Sequence, residues 1–109
     1  GTANTNRDGT GTIADVITGA ANGTRIDDIS IAATGTTTSG MVRLYVSDGT
    51  NTRLWREIPV NSNTPSASNM TWAYYLTDLA LVLKSGWKLR ASTHNGETFH
   101  IAVTRAGDF

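Results

Sequence analysis

From residue 12 onward the chain is written in short stretches of alternating apolar and polar side chains, each closed by Gly, Asn, Asp or Pro, with almost no helical spacing. A period of two sends successive side chains to opposite faces of a pleated strand, so each stretch reads as a half-buried β-strand. Ile13 to Thr18 ends at Gly19. Arg25 to Thr34 sets Ile29, Ile31 and Ala33 against Ser30 and Ala32. Met41 to Ser47 puts Val42, Leu44 and Val46 on one face and Met41, Arg43 and Tyr45 on the other. Asp48-Gly49-Thr50-Asn51 is a turn signal that joins this strand to Arg53 to Val60 in an expected hairpin. Arg56 shares the register of Leu54, Ile58 and Val60. Either its guanidinium faces inward against a carboxylate or a bulge shifts the strand, and both readings stand.

Asn61 to Asn69 is a polar loop in which Pro65 can neither continue a helix nor donate to a ladder. Met70 to Leu76 alternates as a fifth strand. Leu79, Leu81, Val82 and Leu83 fit a short strand or one helical turn equally well. Trp87 to Thr93 alternates again, and Asn95-Gly96 is the strongest two-residue hairpin signal in the chain. It is expected to fold a last strand carrying Phe99, Ile101 and Val103 back onto its predecessor. Seven to eight short strands at this spacing predict an all-β antiparallel sandwich of jelly-roll type over residues 12–109.

Size and charge narrow the function classes. At 109 residues the chain has room for one core, and it holds no cysteine, so disulfides, thiol nucleophiles and thiolate metal sites are excluded. Nine Lys and Arg balance nine Asp and Glu. That removes the electrostatic footprint of a nucleic-acid or anionic-membrane binder. No apolar run approaches the ~18 residues that span a bilayer, and the opening residues do not form a basic-then-apolar leader.

The first eleven residues contain no large apolar side chain, so they read as a flexible N-terminal arm, ordered only where something holds it. Asn4, Asn6, Asp8, Gly9 and Asp15 fall at the first, third, fifth, sixth and twelfth positions of an EF-hand calcium loop. The first ligand there is normally Asp and the last Glu, and no helices flank the loop. The spacing therefore reads chiefly as an irregular polar arm, with no metal assigned. His94 and His100 flank the Asn95-Gly96 turn beside Glu97 and are expected to face one another across a hairpin, mainly as ordinary polar strand residues. With no nucleophile elbow or Ser-His-Asp spacing, no catalytic residue and no cofactor is assigned, and the chain is read as a non-enzyme. Met41, Arg43, Tyr45 and Trp55 share the outward side of the expected hairpin. They form either a protein-contact patch or a face covered by other parts of the chain.

Several segments together carry a likeness: Thr10-Gly11-Thr12, Gly19-Ala20-Ala21-Asn22-Gly23-Thr24-Arg25-Ile26, Thr36 to Leu44, Arg56-Glu57-Ile58-Pro59-Val60, Leu81 to Ala91 and the closing Gly107-Asp108-Phe109. From about Thr10 to Phe109 this pattern resembles small jelly-roll structural proteins of tailed bacteriophages. The resemblance rests on turn and core positions and carries no catalytic chemistry. It implies a virion component on the outer capsid surface, a decoration or cement protein whose partners are the major capsid protein and further copies of itself, as homodimer or homotrimer. In that role Asn4, Thr5, Asn6, Arg7 and Asp8 would contact the capsid, and Met41, Arg43, Tyr45 and Trp55 would form a subunit or capsid interface. A head- or tail-fibre module using the Asn61 to Asn69 loop is the alternative. A carbohydrate-binding module stacking sugars on Trp55, Trp72 or Trp87 is a third.

Overall fold

The computed structural model describes residues 1–109. Eight strands follow in order: β1 (Ala14–Thr18), β2 (Thr24–Ala33), β3 (Gly40–Ser47), β4 (Thr52–Val60), β5 (Ala73–Leu76), β6 (Leu81–Leu83), β7 (Lys88–Thr93) and β8 (Phe99–Asp108). They make two antiparallel sheets and no helix. The first sheet runs β1-β7-β3-β4. In the second, β2 is central: β8 pairs along one side of it, while β5 and then β6 pair end to end along the other.

The core lies between the two sheets. The first contributes Val42, Leu44, Ile58, Val60, Leu89 and Ala91; the second contributes Ile26, Ile29, Ile31, Leu76 and Leu83. These are the inward members of the alternations read from the sequence, and each fully buried Ile or Leu is worth roughly 1.5–3 kcal/mol of transfer free energy. Leu81, Val82 and Leu83 resolve as strand rather than helix, with Leu79 in the segment before them. β6 continues the path of β5 after a four-residue interruption in which Asp78 and Ala80 take positive φ and the Leu79 amide donates to the Asp27 carbonyl.

Two sequence expectations change. The hairpin of β3 and β4 forms across Asp48 to Asn51, with Gly49 at φ +94°, but its ladder slips between Leu44 and Tyr45. Leu44 pairs with Arg56 and Tyr45 with Leu54, so Trp55 is the extra residue of a bulge. The slip takes Leu54 out of the register of Ile58 and Val60; Arg56 keeps that register, opposite Leu44, and is exposed with its guanidinium 5.0 Å from the Trp55 ring centroid. Without the slip Arg43 would stand opposite Arg56; with it, Arg43 stands opposite Glu57. The bulge thus replaces a like-charge pair by an ion pair.

The second change concerns Asn95-Gly96, which does not close a hairpin. β7 pairs with β1 and β3, whereas β8 pairs with β2, so the turn carries the chain from one sheet to the other. The turn is anchored sideways instead. Asn95 Nδ2 donates to Thr38 Oγ1 (2.9 Å) and the Ser39 carbonyl (3.1 Å), and a Glu97 carboxylate oxygen accepts from the Thr38 amide (2.9 Å) and hydroxyl (2.7 Å). Those bonds tie it to the loop before β3, and the local hairpin preference yields to them.

Candidate functional site

The outer face of the first sheet is the most elaborately built surface of the molecule. On β3, the residues alternating with the core positions Val42 and Leu44 are Arg43 and Tyr45, and both are buried, Arg43 to 1 % exposure. What covers them is the N-terminal segment. Ala3 forms a parallel bridge with Thr93, and the Asn4 amide donates to the Thr93 carbonyl (2.9 Å). The chain then crosses the sheet. The Asn4 carbonyl accepts from Arg43 Nη1 (3.2 Å), and the Asn6 carbonyl accepts from the Tyr45 hydroxyl (2.8 Å). Arg7 Nε reaches Glu57 on β4 (2.7 Å). Residues 1–11, expected as an arm ordered only where something holds it, lie as a strap on their own sheet. Its side chains have no apolar bulk, but its backbone carbonyls are the acceptors that two buried donors require.

The return of the strap depends on Asn4, which is only 5 % exposed. Its Nδ2 donates to the carbonyls of Thr10 and Thr12 (3.0 Å each), while its Oδ1 accepts from the Asn6 amide (3.0 Å). Gly11, at φ +85°, passes so close that an added Cβ would meet the Asn4 carboxamide at 2.7 Å. Gly9, also at φ +85°, packs on the Thr52 carbonyl, where no Cβ fits. The calcium-loop spacing is therefore put to another use. The Asn4 amide group occupies the centre of the loop, Asp8 accepts from the Thr10 amide and hydroxyl, and Asp15 binds Lys88 (3.1 Å) and Arg90 (2.8 Å).

Electrostatics hold the strap in place. Glu57 accepts from Arg7 and from buried Arg43 (2.9 Å), and this pairing, Arg7 first, lowers its pKa below the usual carboxylate value. Lys88 and then Arg90 lower Asp15, and the Thr10 hydroxyl lowers Asp8. Arg43 Nη1 and Nη2 also lie 3.4 Å from His94 Nδ1, the only histidine nitrogen at this site. No buried side-chain nitrogen or oxygen is left without a partner.

The structure sorts the expected contact residues into two groups. Thr5, Asn6, Arg7 and Asp8 are exposed on the outside of the strap; Asn4, Arg43 and Tyr45 lie beneath it, and Met41 and Trp55 are half-buried. The reading of Arg43 and Tyr45 as part of an open patch is corrected, because their long polar tips reach the strap and are enclosed by it. His94 and His100 do not face one another. His94 lies beside Arg43, and His100 is exposed on the second sheet opposite Ala32. Asp27 pairs with Arg25 (2.8 Å) and Asp28 with Arg105 (3.0 Å). Trp55 on β4, Trp72 just before β5 and Trp87 just before β7 are half-buried; Trp72 packs edge-on against Phe99 with centroids 5.6 Å apart. Glu57 and His94 complete this site as the side-chain partners of Arg43. The slip at Trp55 is what sets Glu57 opposite Arg43.

No protein-family model, curated protein or solved structure matches this chain.

Proposed function

We propose that this chain is a structural protein of a tailed-bacteriophage virion, a jelly-roll decoration protein that binds the outer surface of the major capsid protein lattice. The resemblance carried by its turn and core segments motivates the reading, and one observation supports it. Asn4 to Asp8 are held on the first sheet by Arg43 and Tyr45, which donate to the Asn4 and Asn6 carbonyls, and by Glu57, which accepts from Arg7, so Thr5 to Asp8 offer a partner a polar surface already fixed in shape. A pre-organised surface binds without the ordering cost that a loose arm would incur. That property suits a clamp on a repeating lattice.

A head- or tail-fibre module is the second reading. It draws on the Asn61 to Asn69 loop, which is braced by Asn69 Nδ2 bonds to Asn63 Oδ1 (3.0 Å) and the Thr64 carbonyl (2.6 Å) and leaves Met70 exposed beside it. Electron cryomicroscopy of empty heads mixed with the purified chain distinguishes the two. Density of this size at many symmetric lattice positions, lost with Thr5→Arg at unchanged Tm, is the expected result. Density confined to a vertex or tail would move the protein to the fibre class, and no bound density would remove both readings.

A further inference from the structure

The nine Lys and Arg of the chain divide into two groups. Arg7, Arg25, Arg43, Lys88, Arg90 and Arg105 each hold a carboxylate, whereas Arg53, Arg56 and Lys84 make no ion pair and are exposed. β4 is the edge strand of the first sheet, and its ladder sets Arg53 opposite Val46 and Arg56 opposite Leu44, on the core-facing side of β3. The slip at Trp55 is what puts these two residues, three apart in sequence, on the same face. Arg53 and Arg56 are nevertheless exposed, so the second sheet leaves this margin of β4 uncovered.

Two half-buried tryptophans interleave with the three cations. Arg56 lies 5.0 Å from the Trp55 ring centroid, and Lys84 Nζ lies 5.4 Å from that of Trp87. Both rings pack against the core, which fixes them, and each ring in turn holds its cation. Arg53 joins the two pairs. It neighbours Trp55 along β4, and with Trp87, Val46, Asp48 and Asn51 it lines a recess of about 130 Å³. The margin therefore runs Arg56, Trp55, Arg53, Trp87, Lys84, with charge and ring alternating. Asp48 is the carboxylate of the recess, and its Oδ1 is engaged by the Thr50 and Asn51 amides (2.9 and 2.7 Å).

An anionic partner fits this row, and three observations narrow its class. Arg53 and Arg56 stand two ladder positions apart, about 7 Å, which is the separation of alternate side chains in an extended chain. Three free cations on a chain of zero formal charge make no long track for a phosphate backbone, and ring faces already covered by Arg56 and Lys84 are not open to stacked bases. The Trp55 bulge and Pro59 blunt the β4 edge against an added strand, so recognition falls to side chains. We propose that this margin binds an extended acidic segment of a partner protein, with alternate carboxylates on Arg53 and Arg56 and a further one towards Lys84. The strap lies on the opposite face of the same sheet, so the inference goes beyond capsid binding and either can fail without the other.

Fluorescence anisotropy of a labelled peptide of alternating Glu and Gly, titrated with the full chain at low salt, tests it. Binding that weakens with added salt is expected, because exposed charges are screened. Arg53→Gln and Arg56→Gln should each weaken it about threefold and the double variant about tenfold, at unchanged Tm, since exposed ion pairs are individually small. Asp48→Asn keeps the acceptor oxygen of the turn and removes the negative charge of the recess, so it should tighten binding about twofold. Arg25→Gln, on the second sheet and already paired with Asp27, should change nothing. No binding at low salt, equal binding of a Gln-Gly peptide, a double variant that binds as the unmodified chain does, or tighter binding of oligothymidine than of the Glu peptide would overturn the proposal.

Discussion

The two sheets share one core but are finished differently on their outer sides. The first is covered on both faces: apolar side chains face inward, and a polar strap encloses Arg43 and Tyr45 outside. The second is covered on its inner face only. Its outer side presents small residues such as Ser30, Ala32 and Ala102 with exposed Tyr75, and its β8 edge is open. The difference shows two ways of meeting the same physical demand. An apolar face is satisfied by area removed from water, whereas a buried guanidinium and phenol are satisfied only by acceptors at defined positions. Eleven residues with almost no hydrophobic content can supply the second kind of cover because carbonyls belong to every residue.

Changes that test this contrast can be ranked. Ile31→Ala, in the shared core, is expected to cost the most, about 2–5 kcal/mol by chemical denaturation, since it removes a fully buried side chain between the sheets. Arg43→Ala should follow at about 2–4 kcal/mol, because Glu57 and the Asn4 carbonyl lose their shared donor. It should also make residues 1–11 a preferred protease site, which Ile31→Ala would not do selectively. Tyr45→Phe keeps the ring and removes the bond to the Asn6 carbonyl, for about 1 kcal/mol. Tyr75→Ser on the uncovered face should stay within about 0.5 kcal/mol.

Acid titration sharpens the same comparison. Glu57 and Asp8, in or against the strap, Asp15 on β1, Asp48 in the turn between β3 and β4, and Asp28 on the second sheet have folded pKa values below their ordinary ones. The unfolded chain therefore takes up these protons first as pH falls. The stability they contribute is complete above the unfolded carboxylate range and is lost progressively below about pH 4–5 as pH falls through the depressed folded values. Because Glu57 and Asp8 both serve the strap, its amides should lose exchange protection at a higher pH than those of β2.

The strands and their inward residues were legible because period two is a local property: Val42, Leu44, Ile29 and Ile31 stand where alternation put them. The strap was not, because its anchors are donors and acceptors far apart in sequence, and a run of Thr, Asn and Gly carries no periodic signal for them. Asn95-Gly96 misled for a related reason. A turn preference measures what two residues tolerate and is silent on the Thr38 contacts that send the next strand to the other sheet. The bulge at Trp55 was one of two readings open at Arg56; it sets Glu57 opposite Arg43 and moves Leu54, not Arg56, out of the apolar register.

The central claim is that residues 1–11 are a built part of the first sheet. Residue-resolved hydrogen exchange by NMR tests it most directly at the Asn4 amide, which donates to the Thr93 carbonyl. Exchange of Asn4 on the slow timescale of the β3 amides, and faster in Arg43→Ala, is the predicted result. Exchange at the rate of an unstructured chain in the unmodified protein would contradict the account.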